Sequence, residues 1–137
     1  MANCRAGTAN LLFGPYDLSM TPSQRSFGAQ RLLSNTDTLR GSYELFTPAM
    51  GAEQRRDPEV SPLFADLAGL PPARIVVGTK DPLLDDSLFL AARWQASGTP
   101  VRLGVVAGAM HGFTLFPLTI TERELRREQD FLSTTGR

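Results

Sequence analysis

Two residues in this chain have types and positions suited to moving a proton: Asp81 and His111, the latter the single histidine among 137 residues. A carboxylate beside an imidazole is the base half of a nucleophilic triad. The carboxylate fixes the ring tautomer and steadies the imidazolium, while the ring carries the proton. Asp81 stands in Gly78-Thr79-Lys80-Asp81-Pro82-Leu83-Leu84-Asp85-Asp86, and His111 in Gly108-Ala109-Met110-His111-Gly112-Phe113. A structural reading competes. A loop histidine often serves packing alone, and Asp81, Asp85 or Asp86 can cap the helix that follows or oppose its dipole. Three clustered aspartates also suit a divalent cation, but no second carboxylate cluster accompanies them, so neither a metal nor any other cofactor is expected.

The elements that must position these residues follow from punctuation and periodicity. Residues 74–78, Arg-Ile-Val-Val-Gly, read as a strand covered on both faces, because their apolar centre is continuous. A helix is expected from about 83 or 84 to 97, with Leu84, Leu88, Ala91, Ala92 and Gln95 on one side and Gly98 at its stop. A second strand over 101–106 alternates Val101, Leu103 and Val105 with Arg102 and Gly104, and 107–116 reads as a loop of small residues. Thr121 and Glu124 have capping-box spacing for a last helix running to about Leu132, with Leu125, Phe131 and Leu132 as its apolar contacts.

Upstream, residues 9–13 read as a short buried strand closed by Gly14-Pro15, and 16–34 as a polar surface excursion. A short amphipathic helix carries Leu39, Tyr43 and Phe46, with Asp37 as its cap. The order after residue 73 is strand, helix, strand, loop, helix. Such a strand pair should be parallel with a right-handed crossover. The fold class is therefore α/β, whose chemistry collects beyond the carboxyl ends of the strands. Adjacent parallel strands lie about 4.8 Å apart, so Asp81 and His111 come within reach of each other.

Composition bounds the rest. One domain of ordinary size is expected over 1–137, 42% hydrophobic and 20% charged, with fourteen basic and fourteen acidic residues. Zero net charge argues against nucleic acid or an anionic membrane as partner. Cys4 is the single cysteine, which excludes an internal disulfide and a cysteine zinc site. Residues 1–10 hold no signal-like apolar run, and no membrane span is expected; the reading is cytoplasmic.

A family resemblance rests on several motifs in order: Asp57-Pro58-x-x-Ser61-Pro62-Leu63, Leu67-x-Gly69-Leu70-Pro71-Pro72-Ala73, Gly78-x-x-Asp81-Pro82-Leu83-x-Asp85-Asp86 and His111-Gly112-Phe113. Together with Leu11-Leu12-Phe13-x-Pro15-x-Asp17-Leu18 upstream, the series resembles the carboxyl-terminal half of α/β-hydrolase fold-3, or hormone-sensitive-lipase-like, carboxylesterases. The resemblance implies a partial α/β-hydrolase domain: the last strands of a mostly parallel sheet, flanking helices, and a cap-like excursion over about 19–56. It implies Asp81 and His111 as triad acid and base, and Phe113 and Phe116 beside the substrate, although both phenylalanines can equally pack the core. A homodimer or a complementing chain would join through the sheet edge, the former using 101–106.

That family also needs a Gly-x-Ser-x-Gly nucleophile elbow and a His-Gly-Gly-Gly-type oxyanion loop, and neither occurs in this sequence. The expectation is a truncated or split esterase, lipase-like, inactive alone and acting on a small-molecule ester if completed by an amino-terminal half. A prolyl-oligopeptidase-type peptidase fragment is the alternative in chemistry. A non-catalytic interaction or remnant domain is the alternative in kind.

Overall fold

A computed structural model of the protein describes residues 7–30 and 32–135; Cys4 lies outside them. Among the described residues three parallel strands form one sheet in the order β1-β2-β3: β1 (Ala9–Leu12), β2 (Ala73–Lys80) and β3 (Val101–Met110). The helices are α1 (Pro22–Ser26), α2 (Thr36–Phe46), α3 (Leu84–Ala96) and α4 (Thr119–Thr135).

The pleat of β2 sorts its side chains between two layers. Ala73 and Ile75 pack with Leu90, Ala91 and Trp94 of α3, while Val76 joins Val106, Ala109 and Phe113 on the opposite face. On that second face Arg74 meets Glu124 of α4 at 2.9 Å, both nearly buried. Burial pulls the Arg74 guanidinium down from its ordinary range and the Glu124 carboxylate opposes that pull. The central strand is thus the doubly covered one, as its apolar run requires.

Several expectations need correction. The buried face of α3 is Asp86, Ser87, Leu90, Ala91 and Trp94, while Ala92 and Gln95 are exposed. Trp94 selects this face by filling the layer against β2 and donating its indole N–H to Pro71 O at 3.1 Å. Helix α2 is capped by Asn35, not Asp37. The Asn35 side chain accepts from Thr38 N while the Thr38 hydroxyl accepts from Asn35 N. Asp37 instead pairs with Arg40, and Phe46 is exposed.

Helix α4 begins at Thr119, so Thr121 and Glu124 lie inside it. Thr121 donates its hydroxyl to Phe113 O, and Glu124 serves Arg74 and Arg127. Leu125 and Leu132 are exposed; Phe131 is the buried contact, with the Arg102 guanidinium over its ring. Leu103 and Val105 are also exposed.

The largest correction concerns residues 16–24. Tyr16, Asp17, Leu18, Met20, Thr21 and Gln24 are buried. Polarity suggested a surface path, but these polar groups are buried because they converge on one carboxylate, Asp86. It accepts from Tyr16 N, Asp17 N, the Thr21 hydroxyl and the Gln24 amide at 2.6–2.9 Å.

Candidate active site

Asp81 sits just past the end of β2, fully buried as a side chain. One of its oxygens accepts the Leu83 N–H at 2.8 Å, a local turn that aims the carboxylate along the sheet edge. His111 sits just past β3. Its Nδ1 lies 3.1 Å from one Asp81 oxygen and 3.3 Å from the other. With Nδ1–H donated to the carboxylate, the lone pair resides on Nε2. Among the described residues no group hydrogen-bonds Nε2, and the histidine side chain keeps 23% of its surface exposed. The arrangement can accept a proton at Nε2 and hold the resulting imidazolium against Asp81.

The strand ends place the pair. Gly78 is matched to Val106 and Lys80 to Met110, so β3 runs four residues where β2 runs two. The excess is a bulge with Gly108 in the left-handed region, tied down by Gly108 N donating to the Thr79 hydroxyl at 2.8 Å. The segment expected as loop from 107 is therefore still strand to Met110, and it carries His111 back toward Asp81. Gly112, at φ +69°, then turns the chain away.

Phe13, just beyond β1, packs edge-on to the His111 ring with centroids 5.1 Å apart. Its φ of +37° is unusual for a residue with a side chain and marks local strain beside the pair. The sequence places Phe13 at the end of the apolar run 9–13 and in the upstream motif, but gives no sign of its contact with the His111 ring.

A cavity of about 360 Å³ opens beside His111, lined by Pro15, Leu33, Leu39, Tyr43 and Leu83 among others. Helix α2 thus walls the site, through Leu39 and Tyr43. Burial, with Asp86 and Asp17 nearby, holds the Tyr43 phenol well above its ordinary value. Phe113 is buried in the core, and Phe116 is exposed; neither lines the cavity of His111.

The neighbouring aspartates diverge. Asp85 accepts from Ser23 N, Asp86 faces residues 16–24, and neither caps α3. Among the described residues no group of three acidic, histidine or cysteine side chains could hold a metal ion. No helix among them is long and apolar enough to cross a membrane.

A parallel sheet with an aspartate and a histidine beyond neighbouring strands makes this an α/β protein with its candidate site at the strand ends, and comparison with known proteins gives the family. The family model described as alpha/beta hydrolase fold matches residues 5–115. This chain belongs to that family, on its hormone-sensitive-lipase-like side. It is 35% identical over 109 residues to an esterase of Acinetobacter venetianus, covering 77% of this chain and 35% of the relative. It is 48% identical over 99 residues to human hormone-sensitive lipase, covering 69% of this chain and 9% of that protein.

The crystal structure of EstE7, a hormone-sensitive-lipase homologue from a metagenome library, superposes with a TM-score of 0.86 at 27% identity. That superposition covers 96% of this chain and 45% of EstE7. The chain therefore spans less than half the length of these relatives.

Proposed function

We propose that this chain supplies the acid–base arm of a serine-type carboxylester hydrolase acting on small-molecule esters. The nucleophile and oxyanion groups would come from a segment that bears a Gly-x-Ser-x-Gly elbow and is not among these 137 residues. One observation carries the reading: a buried Asp81 holds Nδ1 of His111 at 3.1 Å and leaves Nε2 without a protein partner among the described residues. Relatives named esterase, ethyl acetate hydrolase and hormone-sensitive lipase support the ester class.

In this scheme Nε2 takes the proton of the attacking serine hydroxyl and returns it to the departing alcohol. The same ring then deprotonates water to release the acid. Asp81 stabilises the imidazolium at each step without being protonated.

The test is hydrolysis of p-nitrophenyl butyrate by the 137-residue chain, alone and mixed with the part of the Acinetobacter esterase that it does not match. Alone, release stays at background; together, turnover appears and falls by roughly 10³-fold or more with His111→Ala or Asp81→Asn. Turnover by the chain alone that His111→Ala abolishes would place the nucleophile inside these residues. Complemented turnover that survives both substitutions would remove the acid–base assignment.

A further inference from the structure

Leu32 and Leu33 separate two cavities at the carboxyl end of the sheet. Leu33 borders the one beside His111; Leu32 borders another, of about 500 Å³, that His111 does not line. The walls of this second groove are the bulged end of β3 and the approach to α4, and they are apolar: Ala109, Met110, Phe116, Leu118 and Ile120. Among the described residues, the one charged side chain on its border is Lys80.

Lys80 also borders a third, more polar cavity of about 480 Å³, which adds Ser26, Gln30 and Thr79. The Lys80 side chain is exposed, and among the described residues its ammonium has no ion-pair or hydrogen-bond partner. Asp81 touches the polar cavity too, but both its oxygens face the His111 ring and one also accepts the Leu83 N–H. An apolar groove thus ends at an unpaired cation with hydroxyl and amide groups beyond it.

We propose that this groove is a binding site for an anionic amphiphile, specifically a medium-chain carboxylate. Its tail lies along Phe116, Leu118 and Ile120, and its carboxylate receives the Lys80 ammonium. Apolar burial supplies affinity in proportion to tail length, and the charge-assisted hydrogen bond at Lys80 fixes which end lies where. The groove is formed by the same bulge that carries His111, so occupation bears on the segment that positions the base. Carboxylates are also the product class of ester hydrolysis, yet the proposal does not rest on that activity.

Calorimetric titration of the 137-residue chain with decanoate, kept far below its micelle-forming concentration, tests the site without reading turnover. Saturable one-to-one binding is expected, tightening about fourfold for each methylene from hexanoate to octanoate to decanoate. Lys80→Gln should weaken decanoate about tenfold, Lys80→Arg should keep it, and neutral decanol should bind the wild type about as weakly as decanoate binds Lys80→Gln. In amide NMR spectra the perturbed signals should be those of Lys80, Phe116 and Leu118.

Absence of saturable binding overturns the proposal, including the case in which a second copy of the chain fills the groove and decanoate fails to displace it. So does equal affinity for decanol and decanoate, indifference to Lys80→Gln, or perturbation confined to Leu33, Leu39 and His111. Failure of the esterase reading leaves each of these outcomes as informative as before.

Discussion

Asp86 lies outside the Asp81–His111 pair, yet it holds a buried polar segment of the chain in place. Its carboxylate gathers residues 16–24, and Ser23 reinforces the clamp: its hydroxyl donates to Pro82 O and accepts the Asp85 N–H. Burial raises the Asp86 carboxyl above its ordinary value, while the Gln24, Thr21, Tyr16 and Asp17 donors pull it back only in part. Burial likewise pushes the nearby Tyr16 phenol up to about 12.

A carboxyl raised in the folded state holds its proton more tightly there than in the unfolded chain. Its contribution is therefore full below the unfolded value near 4 and declines as pH rises through the folded one. Asp86→Asn removes that titration and also presents an amide N–H₂ to donors, costing about 2 kcal/mol at neutral pH. Urea unfolding across a pH series should show the wild type's advantage over Asp86→Asn largest in acid, shrinking as pH rises and then level. An advantage that grows with pH would contradict burial as the dominant influence on this group.

At the scale of elements, the site depends on how closely β3 can ride over β2. A Cβ added to Gly78 would lie 2.0 Å from Ala109 O, inside the bulge that carries His111, whereas one added to Gly104 would meet the Val76 side chain at 3.4 Å. Gly78→Ala therefore must push the bulge off β2. The expected cost is about 3 kcal/mol by urea unfolding, with loss of the downfield Nδ1 proton signal of the single histidine; Gly104→Ala should cost less than about 1 kcal/mol and keep that signal. Equal effects of the two substitutions would mean that close approach at Gly78 does not set the acid–base distance.

These contacts also explain which parts of the molecule were legible in the sequence. The strand around Val76, the helix stop at Gly98 and the Asp81–His111 pairing depend on local pattern and chain order, which a single sequence displays. The extension of β3 to Met110 depends on a bulge paired with Thr79 and Gly78. The burial of Thr21 and Gln24 depends on a carboxylate more than sixty residues away. Periodicity holds no trace of such distant polar partners, so polar residues there read as surface. The motif series pointed to the right family, but the cavities lie where loops and helix ends meet, and their linings followed only from the fold.

For the molecule as a whole, the decisive feature is that the sheet of the described residues ends at β1. Ala9 and Phe13 donate their N–H groups toward β2, to Pro72 O and Val76 O, so the alternating residues Asn10 and Leu12 direct their backbone groups to the other side. Among the described residues no strand pairs there. A four-residue strand with an unpaired edge is a template for another strand, and solved relatives more than twice as long match the rest of the fold. The segment proposed to carry the nucleophile would therefore add at this edge, and without it the 137-residue chain should pair with itself.

Leu12→Pro separates edge pairing from folding, because proline removes the outward N–H and leaves the bonds from β1 to β2 in place. Sedimentation velocity should find dimers or larger species for the wild-type chain at micromolar concentration and mainly monomer for Leu12→Pro, with similar helical circular dichroism for both. The same substitution should abolish complementation of ester hydrolysis. If Leu12→Pro stays folded and still complements, the nucleophile segment joins elsewhere, and β1 is a true outer strand of this sheet.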